Sequence, residues 1–421
     1  MFHSDGIIFD MRTGFWENKP PKIKSRFKLI PDQIHGPAIK SGVSQGKIHL
    51  SFLDGIRGLA ILAVFLIHSL GASFGLYSLG WSDLFRDFHV SKAYLALYPL
   101  TYGWVGVPIF FVVSGFCIHL SHQSSGETGW LGFINRRFFR IYPAYLLAVC
   151  VFFFVWPATQ SVHSTAGHRQ LAFHLLAVHN LGDDTYFGIN GSFWSIAVEI
   201  QLYAIYPVLL LVARKFGWSK ALLFVGIIEM TIHGLQAFSL NCHDQSLRRH
   251  IIGSPFAFWF SWSIGAYVAQ CFLDGKMNGL IRFRFDLMIA IAFAMPLFKP
   301  TDEFAFPAFS FAAAIAIDRL ISKQWKLPDN RIFSIAWRHL GLLGLISYSF
   351  YLFHQPIVNS FSDHAKHLPP WARFCICCSS YVIIFALSYL IYRLVEQPST
   401  ALGKWASQWA SKRTSKKFPT A

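Results

Sequence analysis

Hydrophobic positions in this sequence gather into long, nearly unbroken blocks instead of the short alternations of a soluble chain. Ten blocks approach the ~17 to 25 residues that a helix needs to cross a bilayer. They cover residues 51–71, 100–120, 141–157, 192–213, 219–238, 254–273, 285–299, 304–321, 340–361 and 373–394. Blocks of this length predict membrane-spanning helices. The expected fold class is therefore all-α, a polytopic bundle of about ten transmembrane helices. A shorter stretch, LAFHLLAVHNL at residues 171–181, carries His174 and His179 and predicts an interfacial or re-entrant helix near 168–181.

Charge placement gives the expected orientation. With ten spans and a cytoplasmic amino terminus, 28 of the 37 Lys and Arg residues fall on the inner side and eight on the outer, with Arg57 inside the first span. An eleventh span would send basic loops such as Arg214/Lys215 outward, so the positive-inside rule favours ten spans with both termini cytoplasmic. The expected location is the plasma membrane or the bacterial inner membrane. Residues 1–48 lack an apolar signal-peptide core and read as a basic, disordered cytoplasmic tail. Residues 49–398 form the membrane domain and 399–421 a second basic cytoplasmic tail.

Composition narrows the function class. The chain is 54% hydrophobic and 14% charged, which excludes an ordinary soluble domain. A net charge of +16 would suggest nucleic acid in a soluble protein. Here the basic residues bracket the apolar blocks and no nucleic-acid motif accompanies them, so no nucleic-acid partner is expected. Most of the seven cysteines lie in or beside apolar blocks, and their spacing indicates neither a disulfide framework nor a metal site.

Polar residues inside the apolar blocks carry the candidate chemistry. The first block, SFLDGIRGLAILAVFLIHSLG, holds Arg57 and His68 eleven residues apart. That spacing puts both on one helix face, roughly 16 Å apart along the axis. A cation in hydrocarbon costs about 3 kcal/mol even on lenient scales, so a segment that keeps one commonly uses it. In the fourth block, GSFWSIAVEIQLYAIYP, Glu199 lies at a depth matching His68, which predicts an imidazole–carboxylate pair. Before the third, NRRFFRIYP sets Arg137 and Arg140 one turn apart, a spacing suited to phosphate oxygens. The ninth, ISYSFYLFHQPIV, aligns Tyr348, Tyr351 and His354 on one face. Gly103, Gly106 and Gly115 in the second permit close helix contact or a local unwinding.

Taken in order, the Arg-x10-His span, GVPIFFVVSGFCI, RRFFRIYPAYL, SFWSIAVEIQLYAIYP and ISYSFYLFHQPIV resemble the integral-membrane acyltransferase family 3, over roughly residues 50 to 398. That family includes O-acetylases of surface polysaccharides, peptidoglycan and lipid-linked sugars. The resemblance implies ten core spans, acetyl-CoA or another acyl-CoA as a cytoplasmic donor, and a glycan or glycolipid acceptor on the far side. It assigns functional weight to the Arg57/His68 pair, to Arg137 and Arg140, and to Trp194, Ser195 and Glu199. Two departures stand out. Ile200 and Gln201 follow Glu199 where a second acid is common, and a short basic tail stands where some members carry an esterase-like domain.

The residue chemistry points the same way. Acyl transfer to a hydroxyl needs a base, stabilisation of an oxyanion and anchoring of the donor's phosphates. His68 is the candidate base with Glu199 orienting it. Arg57, Arg137 and Arg140 are the candidate donor anchors, and Trp194, Ser195, Tyr348 and His354 stand as substrate-binding or supporting groups. A covalent relay through His68, Ser69 or Ser195 is an alternative to direct transfer. A rival function is a proton-coupled transporter or glycan exporter, because intramembrane His, Glu and Arg also build proton relays.

Overall fold

A computed structural model describes residues 7–10, 15–18, 50–75, 92–123, 129–156, 164–243, 247, 249–276, 280, 282–328 and 330–417. It separates into two units, Met1–Ser44 and Gln45–Ala421. In the first, Ile7–Asp10 (β1) and Phe15–Asn18 (β2) pair antiparallel, with Ile7 opposite Asn18 and Asp10 opposite Phe15. Isoleucine and aromatic residues favour such a ribbon. The rest of the tail expected to be disordered lies outside the described residues.

The second unit is helical. Its main helices are α1 Ser51–Phe74, α2 Lys92–Thr101, α3 Gly106–Gln123, α4 Gly129–Cys150, α5 Thr165–Leu175, α6 Trp194–Phe216, α7 Trp218–His243 and α8 Trp259–Leu273. They continue with α9 Phe285–Ala294, α10 Ala305–Ile321, α11 Arg331–Leu345, α12 Ser347–His364, α13 Pro370–Ser379, α14 Tyr381–Ile391 and α15 Gln397–Lys417. Among the described residues, seven helical stretches are long and apolar enough to cross a membrane. They are Ser51–Phe74, Leu97–Gln123, Trp130–Val155, Trp194–Phe216, Trp218–Leu240, Pro255–Leu273 and Pro370–Trp409.

The other three expected spans are helical but take different forms. Phe285–Leu297 and Ala305–Ile321 are short. The block at 340–361 is divided at Ile346 between α11 and α12. The last span runs on as helix through residue 417, so the carboxy-terminal tail begins as a continuation of the bundle. The short helix expected near 168–181 is present as α5 followed by a turn at His179–Leu181.

Close backbone approach locks α1 into the bundle. A methyl group on Gly58 would fall 1.9 Å from the carbonyl oxygen of Leu340, and one on Gly344 only 1.7 Å from that of Asp54. These two glycines let α1 and α11 cross almost in backbone contact. Gly103 and Gly106 meet the carbonyls of Ala63 and Ala60 in the same way, as expected from their place in the sequence. The helix bearing Arg57 and His68 is thus gripped along its length, and its polar side chains are held in fixed positions.

Candidate active site

One cavity of about 130 Å³ collects most of the polar residues singled out above. Arg57 enters it from α1, Ser114 and Cys117 from α3, and Arg137 and Arg140 from α4. Ser195, Glu199 and Tyr203 enter from α6, and Tyr348 and Tyr351 from α12. Residues far apart in sequence meet because each lies on a helix face turned to the same central space. Ile61 on α1, Tyr145 on α4 and Phe350 on α12 are buried in one hydrophobic cluster with the lining residue Ile141.

The three arginines differ in their partners. Arg57 donates from Nη1 to Asp54 Oδ1 at 3.2 Å and from Nη2 to Cys117 Sγ at 3.2 Å, so Asp54 one turn earlier moderates its charge within the bundle. Arg140 Nη1 stands 3.9 Å from Oε2 of Glu396, a fully buried carboxylate that also accepts from the backbone N–H and hydroxyl of Ser349. Arg137 lies over the ring of Phe133 at 5.7 Å, and its Nε has no hydrogen-bond partner among the described residues. A guanidinium with an unused donor beside a cavity fits an anionic ligand. Asp54 and Glu396 were not singled out from the sequence, although a carboxylate in an apolar block such as YRLVE carries the same signal that marked Glu199.

Glu199 is held by hydroxyls. Its Oε1 accepts from Ser114 Oγ at 2.6 Å and from the hydroxyl of Tyr203, one turn further along α6. Trp262 Nε1 in turn donates to Ser114 at 3.3 Å. His68 has a different companion: its Nδ1 is 2.9 Å from the carbonyl of Val64 and 3.0 Å from Nε2 of His354. The expected pairing of His68 with Glu199 therefore gives way to two separate assemblies. Two small hydroxyls reach the carboxylate on its own helix and on α3, whereas a second imidazole at matching depth meets His68.

The two assemblies share a wall. Tyr351 lines the cavity and receives the Ser195 hydroxyl at 2.8 Å, while its own carbonyl accepts from His354 Nδ1 at 2.8 Å. Tyr348, also in the cavity, donates to the carbonyl of Ile141 at 2.9 Å and ties α12 to α4. Trp194 stands away from the lining, stacked on Tyr186 with ring centroids 5.7 Å apart. That contact makes it an anchor for the loop before α6.

Helix α5 and the turn after it hold the two histidines of the short helical segment. His174 and His179 are buried and stacked face to face, with centroids 3.9 Å apart and 8° between planes. Burial pushes the first down to about 4 and the second, which also faces its neighbour, down to about 2. They are neutral packing groups near pH 7. No cluster of three or more metal-binding side chains occurs among the described residues.

Comparison with known proteins agrees with this geometry. A family model described as an acyltransferase domain matches residues 50–393. BcsY of Komagataeibacter xylinus, assigned as a membrane-bound transacylase, is 25% identical over 315 residues, covering 72% of each chain. The peptidoglycan O-acetyltransferase OatA of Listeria monocytogenes is 27% identical over 373 residues, covering 82% of this chain and 55% of OatA. The acyltransferase MdmB of Streptomyces mycarofaciens is 30% identical over 177 residues, covering 40% of this chain and 41% of MdmB. No solved structure matches. With most of its length matched and seven helical stretches among the described residues able to span a bilayer, this integral membrane protein belongs to the acyltransferase-domain family.

Proposed function

We propose that this protein is a membrane O-acyltransferase that moves an acetyl or other short acyl group from cytoplasmic acyl-CoA to a hydroxyl of a glycan or glycolipid on the opposite side of the membrane. The observation that carries this reading is the cavity in which Arg57, Arg137 and Arg140 converge, with Tyr351 joining its wall to the His68–His354 pair. Three guanidinium groups suit the phosphates of a nucleotide donor. The imidazole pair suits removal of a proton from a hydroxyl.

In this mechanism the arginines hold the anionic end of acyl-CoA and the thioester extends toward α12. Carbonyl oxygens cannot donate, so the Nδ1 atoms of His68 and His354, facing Val64 and Tyr351, both carry hydrogen. Nε2 of His68 is then the basic nitrogen. It takes the acceptor's hydroxyl proton as that oxygen attacks the thioester carbon. The tetrahedral intermediate expels the CoA sulfur, the imidazolium returns the proton to the thiolate, and ester and free thiol leave. Glu199 fixes the Ser114 and Tyr203 hydroxyls beside the reacting thioester. The full topology in this reading is ten spans with both termini in the cytoplasm.

The test uses purified full-length protein in nanodiscs with radiolabelled acetyl-CoA and cell-envelope glycolipid. Label in the glycolipid with matching release of free CoA is expected. Solute flux in sealed vesicles without any acyl transfer would overturn the enzyme reading in favour of a transporter.

A further inference from the structure

Beyond His354, the same helix lines a second cavity, of about 400 Å³, whose chemistry is the reverse of the first. Its walls are Trp156, just past the helical stretch Trp130–Val155, Phe187 to Gly191 of the loop before α6, and Gln355, Asn359, Asp363 and His364 of α12. Among the described residues no lysine or arginine lines it, whereas three arginines line the first. Tyr351 faces the first cavity and Gln355, one turn on, faces the second; His354 lies between them, paired with His68.

A specific backbone device builds this cavity. Pro356 has no N–H, so the carbonyl of Leu352 loses its donor in the helix. The loop supplies a replacement: Asn190 Nδ2 donates to Leu352 O at 2.9 Å. Asn190 Oδ1 accepts from the Ser192 N–H at 3.0 Å, and Ser192 Oγ donates to Gln355 Oε1 at 2.5 Å. A methyl group on Gly191 would lie 3.0 Å from the Gln355 amide, so glycine keeps that end open. Asn359, Asp363 and the 59% exposed Phe187 are left facing the space.

Two aromatic rings, amides, the imidazole of His364 and a single carboxylate, with no lysine or arginine among the described residues, form a lining suited to a neutral polyhydroxylated ring. The rings cover an apolar C–H face while amide and carboxylate oxygens accept from hydroxyls. The volume falls within the ~300–1,000 Å³ of small-molecule sites. Resting on the acyltransferase reading above, we propose that this cavity is the acceptor subsite and binds a neutral sugar ring with one hydroxyl directed at the His68–His354 pair.

The experiment measures acetyl transfer by the full-length protein in nanodiscs, with radiolabelled acetyl-CoA and envelope glycolipid from the protein's own host as acceptor. Asn359→Ala and Phe187→Ala are each expected to raise the acceptor KM at least about tenfold. The KM for acetyl-CoA should stay within about twofold, since no donor contact is removed. Asn359→Trp, which fills the space, should abolish transfer while acetyl-CoA binding, measured directly, shows the fold intact. Wild-type acceptor saturation in both alanine variants, or a parallel loss of donor affinity, would overturn the subsite. Absence of transfer by the wild type would instead reject the enzyme reading on which it rests.

Discussion

Nε2 of His354 lies 3.0 Å from Nδ1 of His68, so two imidazoles join α12 to α1. Because both Nδ1 atoms face backbone carbonyls, the tautomer of His68 is set by its surroundings. His68→Ala is therefore expected to lower kcat by about 10²–10⁴, the usual contribution of a general base. The dissociation constant for acetyl-CoA should change little. His354→Gln, whose amide oxygen still accepts from His68, should be milder than His354→Leu. Single-turnover transfer and equilibrium binding separate these effects, and equal loss of donor binding in His68→Ala would reject the division of roles.

Arg137 offers the cleanest test of donor anchoring, since Arg57 and Arg140 already face Asp54 and Glu396. Losing one charge-assisted hydrogen bond costs about 1.5–3 kcal/mol, so Arg137→Ala should weaken acetyl-CoA binding roughly 10- to 100-fold. Arg137→Lys should recover only part of this, because an ammonium lacks the planar fork. Isothermal titration with CoA checks both. Unchanged affinity in Arg137→Ala would place the phosphates elsewhere.

The helical bundle was legible because blocks of apolar residues have few alternatives in a bilayer. Arg57 and His68 announced themselves by cost alone. Tertiary partners were less legible: periodicity puts His68 and Glu199 at matching depths, yet it does not say which helix turns a hydroxyl or an imidazole toward each. Ser114 and Tyr203 took the carboxylate, and His354 took the histidine. The break at Ile346 was hidden because the sequence stays apolar through GLLGLISYS while one helix ends at Leu345 and the next begins at Ser347. Trp194, conspicuous beside Ser195, faces Tyr186 instead of the cavity, and no local pattern distinguishes those two orientations.

The stacked pair His174 and His179 gives the segment before α6 a pH dependence. Both are neutral when folded, with values near 4 and 2 against 6.5 in the open chain. The unfolded loop therefore binds more protons below pH 6.5, so stability is full above that pH and falls as the pH drops toward 4. Each imidazole adds a slope of about 1.4 kcal/mol per pH unit within its window. Hydrogen exchange across residues 164–193 should lose protection from pH 6.5 to 5, and His174→Phe should flatten the trend. A pH-independent profile in the wild type would show that the stack does not govern this loop.

The bond from Asn190 to the carbonyl of Leu352 exists because Pro356 cannot supply a donor, and that dependence can be measured. Asn190→Ala should destabilise the protein by about 1–3 kcal/mol, the cost of leaving a buried acceptor unpaired. Pro356→Ala restores a backbone N–H at the position four residues after Leu352. In that background, Asn190→Ala should cost less, by a coupling of about 1 kcal/mol. Unfolding of the four proteins of the cycle in one detergent gives the coupling, and exchange of the Gly191 and Ser192 amides reports the loop itself. Additive losses would mean that the loop docks on α12 without regard to the proline. A positive coupling would identify Pro356 as the residue that recruits the loop, and with it the walls of the second cavity, to the side of His354.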